Sequence, residues 1–88
     1  MHLITITNIE PVFDGSNQLE ENGLFVFRVK FNAISANGVV YENNYYQWAI
    51  DINDESKLID RCNETIDYLV EQDSKKIIIP DNLANLVV

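Results

Sequence analysis

Residues 24–52 constrain the fold more than any other part of this 88-residue chain. From Leu24 to Ala36, the residues Phe25, Phe27, Val29, Phe31 and Ala33 alternate with Arg28, Lys30 and Asn32. A period of two sends successive side chains to opposite faces, so this is a long strand with one apolar face. Asn37-Gly38 follows and reads as a two-residue type I′ turn, which needs positive φ at both central positions. Val39 to Ile52 is then the partner strand. Such a turn sets Val29 opposite Tyr46, Phe27 opposite Trp48 and Phe25 opposite Ile50, all apolar or aromatic. On the other face it sets Asn32 opposite Asn43, Lys30 opposite Tyr45 and Arg28 opposite Gln47. A slip of one residue would mix the two sets, so the pattern specifies one register.

An aromatic sheet face needs a cover, and residues Asp54 to Gln72 supply one. Leu58, Ile59, Cys62, Ile66, Leu69 and Val70 form an apolar stripe when wound at 3.6 residues per turn. Asp60, Glu64, Asp67 and Glu71 recur on nearly the opposite side. Asp54 and Glu55 near the start, and Lys75 and Lys76 near the end, complement the helix dipole. Ahead of the hairpin, Leu3 to Ile9 alternates Ile4 and Ile6 with Thr5 and Thr7, as a first strand does. Glu10 to Gly23 reads as a turn-rich connection, with Val12 and Phe13 extending the first strand or pinning the loop. Lys76 to Ile79 is a short strand that Pro80 ends, which suits an edge position, and Asp81 to Val88 returns Leu83 and Leu86 to the core. The expected fold is α+β in one domain, residues 1–88. It has a curved antiparallel sheet of three long strands plus a short C-terminal edge strand. One amphipathic helix packs across one face, in the order β-β-β-α-β.

Charge narrows the function. Fourteen acids against six bases give a net charge of −8, which repels nucleic acid and anionic membrane and attracts basic protein surfaces. No run of apolar residues is long enough to cross a bilayer and no basic segment precedes one at the start, so the chain reads as cytoplasmic. A single cysteine forms no internal disulfide, in keeping with a reducing compartment.

The chemistry of catalysis is missing. His2 is the sole histidine and stands at an end expected to fray, while Cys62 sits on the apolar stripe as a core thiol. A thiolate or imidazole metal site needs several such ligands. Asp51, Asn53 and Glu55 start like a calcium loop, but Ser56 and Cys62 stand where glycine and glutamate are required. Asn63-Glu64-Thr65 spells a glycosylation sequon inside the expected helix. The three glycines are isolated, so there is no phosphate loop. The chain is therefore read as no enzyme, with no cofactor and no metal.

The carboxylate row remains. Helices usually intersperse charge signs, because like charges at i,i+4 destabilise by ~0.2–0.5 kcal/mol per pair. Asp60–Glu64 and Asp67–Glu71 are both such pairs. A solvated face carries acids for solubility too. Yet this row is regular, with roughly 4.5–6 Å of axial rise between neighbours, on the scale of a phosphate backbone. Asp60, Glu64, Asp67 and Glu71 are thus the candidate partner-binding residues. Arg28, Lys30, Tyr41 and Tyr45, expected on the open sheet face with Gln47, form a secondary interaction surface. The tail Leu86-Val87-Val88 offers a strand for a homodimer.

The strand-strand-strand-helix order loosely resembles HicB-type antitoxins, without their glycine-tyrosine and proline-rich strand motifs. Size, acidity and missing catalytic chemistry resemble, in type, small phage-encoded inhibitors such as anti-CRISPR and anti-restriction proteins. That resemblance implies a non-enzymatic protein that binds and blocks a basic, nucleic-acid-binding protein surface. The alternatives are an antitoxin or toxin-immunity protein, and an assembly subunit pairing through its sheet edge.

Overall fold

The alternating segment is the central strand of an antiparallel sheet. In the computed structural model, which describes residues 1–75, the chain opens with strand β1 (Leu3–Pro11). Three two-residue strands follow: β2 (Phe13–Asp14), β3 (Asn17–Gln18) and β4 (Glu20–Glu21). Then come β5 (Leu24–Ile34), β6 (Val40–Ala49) and helix α1 (Glu55–Ser74). β5 lies between β1 and β6, and both pairings are antiparallel. Leu58, Cys62 and Ile66 of α1 are buried in one cluster with Val29, Phe31, Ala33, Trp48 and Ile50. This is an α+β fold of one helix on a sheet. The expected strand at 76–79 and the returning segment with Leu83 and Leu86 lie outside the described residues.

Aromatic rings dominate the interface between the layers. Phe31 packs 6.1 Å from Trp48 and 6.2 Å from Tyr46, while Tyr46 stacks on Trp48 at 5.6 Å. Offset and tilted arrangements at these separations suit the ring quadrupoles and add to the area they bury. Ile4, Ile6, Leu69 and Val70 pack around the edge of this cluster.

The hairpin follows the expected register over most of its length and departs from it near the turn. Phe27 pairs with Trp48, Arg28 with Gln47, Val29 with Tyr46 and Lys30 with Tyr45, as the pattern requires. Beyond Phe31, Ala33 pairs with Tyr41 and Ile34 with Val40, one residue out of step. The turn is the cause. Ser35 N–H donates to Val39 O at 2.8 Å, leaving Ala36, Asn37 and Gly38 as a three-residue loop. Only Gly38 of these has positive φ, at 86°, so the type I′ geometry is not formed. An extra residue in β6 restores the register: Asn43 adopts φ 57°, a β-bulge whose N–H donates to Asn32 Oδ1 at 2.8 Å. The expected Asn32–Asn43 pair is replaced by that bond.

Gly38 is a conformational requirement, not a packing one. A Cβ there would meet no heavy atom within 4 Å, yet its φ is one that side chains resist. Gly38→Ala is therefore expected to cost about 1–2 kcal/mol through the backbone alone, read as a lower urea midpoint at unchanged slope.

The connection before β5 is more ordered than expected. β1 runs on through Pro11, with a bulge at Thr7 between the Ile6–Phe31 and Asn8–Lys30 pairs. Val12 is buried, with its N–H on Val26 O at 3.0 Å and its carbonyl accepting Leu19 N–H at 2.7 Å. Val26 N–H in turn donates to Leu19 O. Phe13 stays 58% exposed, so Val12 alone does the pinning.

Candidate functional site

The carboxylate row stands on a well-anchored helix. Asp54 is the N-cap, with its side chain accepting Lys57 N–H at 3.1 Å, which satisfies one of the orphan donors of the first turn. Asp51 prepares this cap: its carbonyl accepts Asp54 N–H and its side chain accepts Asn53 N–H. Asp60, Glu64, Asp67 and Glu71 are all exposed, while Leu58, Cys62 and Ile66 beneath them are buried. The row runs roughly 16 Å along the axis at ~1.5 Å per residue.

The four acids are not equivalent. Glu71 is 2.8 Å from Lys75 Nζ. Asp67 Oδ1 lies 2.6 Å from His2 Nε2. Asp60 and Glu64 have no ion pair among the described residues. Arg61, one position from Asp60, makes no ion pair with either, and its guanidinium lies over the Trp48 ring at 5.5 Å. Both acids border an open depression of about 370 Å³ between α1 and the end of the sheet, together with Asp51, Lys57 and Arg61. The unpaired half of the row is thus Asp60–Glu64.

His2 is a correction. Its expected place was a frayed end, but its side chain is only 8% exposed and joins three elements. His2 N–H donates to Asn63 Oδ1 at 2.9 Å, Nδ1 accepts Ala36 N–H at 2.9 Å, and Nε2 meets Asp67. The signal was present in the sequence: His2 alternates with Ile4 and Ile6, which face α1. Asn63, the acceptor of the sequon, spends its amide within this network and on Ile59 O.

The open sheet face keeps three of its four expected residues. Arg28 stands between Glu10 and Gln47, and Lys30 between Asn8 and Tyr45, all in register. Lys30 Nζ lies 5.8 Å from the Tyr45 ring centroid. Tyr41 is not among them. The bulge at Asn43 turns it to the helix side, where it packs against the core and its hydroxyl donates to Asp73 Oδ2 at 2.6 Å. That hydrogen bond to a carboxylate holds the phenol above its ordinary value. The same face carries an apolar row not foreseen from the sequence: Leu3, Ile34 and Val40 lie side by side across the three strands, 65%, 43% and 57% exposed.

Cys62 is fully buried, and burial pushes its thiol up to about 11. The thiolate is the nucleophile, so the group is inert in the fold. Alkylation at pH 8 is expected to be negligible in the native protein and complete in denaturant, as intact mass would show. Among the described residues no three His, Cys, Asp or Glu side chains are placed to share a metal ion, and no helix is long and apolar enough to cross a membrane. Compared with family models, curated proteins and solved structures, the chain matches none.

Proposed function

We propose that this chain is a non-enzymatic interaction protein whose α1 face binds a basic, nucleic-acid-binding protein surface and blocks it. One observation carries this reading. Asp60 and Glu64 are exposed on successive turns, without an ion pair among the described residues, on a helix whose underside is held by Leu58, Cys62 and Ile66. A like-charged i,i+4 pair destabilises a helix slightly, so it has to be compensated elsewhere, and a cationic partner compensates it on binding. Asp67 and Glu71 extend the row but already have partners, so they contribute less. A phage-type inhibitor of a defence complex, such as an anti-CRISPR or anti-restriction protein, fits this size, charge and geometry.

Capture from extract of the source cells at low salt tests the proposal. The recovered partner should be a basic nucleic-acid-binding protein, released by raised salt and by competing DNA or RNA. Recovery of no basic protein would sink the reading. A second reading, an assembly subunit that pairs with a further copy of itself, is favoured by the exposed Leu3–Ile34–Val40 row. It predicts a dimer in sedimentation that persists at high salt, since apolar burial is not screened.

A further inference from the structure

The geometry points to His2 as a proton-operated latch between the hairpin loop and α1. In this arrangement Nδ1 is an acceptor, because Ala36 N–H donates to it at 2.9 Å. The ring proton therefore lies on Nε2, where it is donated to Asp67 Oδ1 at 2.6 Å. One neutral ring thus ties the loop on one side to the helix on the other.

A second proton has only one place to go. It must bind Nδ1, which then points an N–H at the Ala36 N–H, so that contact opens. The Asp67 contact does the reverse and becomes a charge-assisted pair. Protonation therefore unhooks the hairpin loop while holding the ring more firmly on α1.

The charged groups near the ring come from α1 and from Met1. From α1, Asp67 touches the ring, and Asp60 and Glu64 border a shared depression with Met1, Asn63 and Asp67. The hairpin contributes Ser35, Ala36 and Asn37, none of which titrates between pH 5 and 8. Ala36 presents a donor to Nδ1, so a protonated Nδ1 finds no acceptor in that N–H. The rest of the loop keeps its own bonds, since Gly38 N–H donates to Ser35 O and Val39 N–H to Ser35 Oγ. The release is local to Ala36.

The test is a pH titration from 8 to 5 of the full chain labelled with 15N. Ring shifts give the tautomer and protonation of His2, and amide exchange is expressed relative to the intrinsic rate at each pH. The expected result is the Nε2–H tautomer at high pH. Ala36 protection should then fall about tenfold along the same curve as ring protonation, the size of one hydrogen bond. Gly38 and His2 amide protection should hold. His2→Asn supplies an internal control, because its Oδ1 can replace Nδ1 as the Ala36 acceptor but takes up no proton. Ala36 should then be flat with pH. An Nδ1–H tautomer, a flat Ala36 profile in the wild type, or an unchanged pH-dependent loss in His2→Asn would each overturn the latch.

Discussion

Phe31→Ala is expected to be the most destabilising of the substitutions considered. Phe31 is fully buried at the centre of β5, where it meets the rings of Tyr46 and Trp48 and lies in one cluster with Cys62 and Ile66. Truncating a buried phenylalanine costs about 3–5 kcal/mol, from lost transfer energy plus the cavity left behind. A chain of this length has roughly 4–13 kcal/mol in total. The midpoint of thermal unfolding should therefore fall by at least about 12 °C. Phe13→Ala is the matched control, because Phe13 is 58% exposed and its loss should stay within about 1 kcal/mol. Equal effects at the two positions would mean that the aromatic face of β5 is not the core.

The largest functional effect is expected from reversing the unpaired half of the acidic row. Asp60→Lys with Glu64→Lys moves the net charge from −8 to −4, since each reversal adds two positive charges. It also turns attraction for a basic partner into repulsion at the point of contact. Like-charge juxtaposition in an interface costs several kcal/mol, so affinity should fall at least about a hundredfold. Stability should change little, because both side chains are exposed and lack an ion pair among the described residues. Glu20→Lys with Glu21→Lys is the control for overall charge. It produces the same net charge from exposed positions on β4, and should reduce affinity only through long-range steering, by about tenfold or less.

The legible part of this fold was its periodicities. Alternation through Phe27, Val29 and Phe31 found β5 and its apolar face, but at the start of the strand Phe25 is 48% exposed and Val26 is buried instead; the requirement that apolar residues meet across the hairpin found most of its register. The 3.6-residue spacing of Leu58, Cys62 and Ile66 found the buried side of α1, and with it the exposure of the carboxylates. What escaped was decided by single backbone dihedrals. Asn37-Gly38 serves a two-residue or a three-residue loop equally well, and only the positive φ of Asn43 shows that a bulge restores the register. That bulge moved Tyr41 from the open face to the helix side. The network of His2 escaped for another reason. Its alternation with Ile4 and Ile6 marks which way it faces, but its bond to Asp67 joins residues 65 positions apart, and no local pattern names that partner. The consequence for the site is specific: half of the carboxylate row is engaged within the protein, and the sequence showed all four as alike.

Amide mapping of the 15N-labelled chain with its captured partner locates the contact surface, which is expected at Asp60 and Glu64. Line broadening and shift changes should centre on residues 57–68 of α1, fade with rising salt, and leave Arg28, Lys30 and Tyr45 on the opposite face unchanged. Perturbations centred on Leu3, Ile34 and Val40, or on the open sheet face, with α1 untouched, would contradict it.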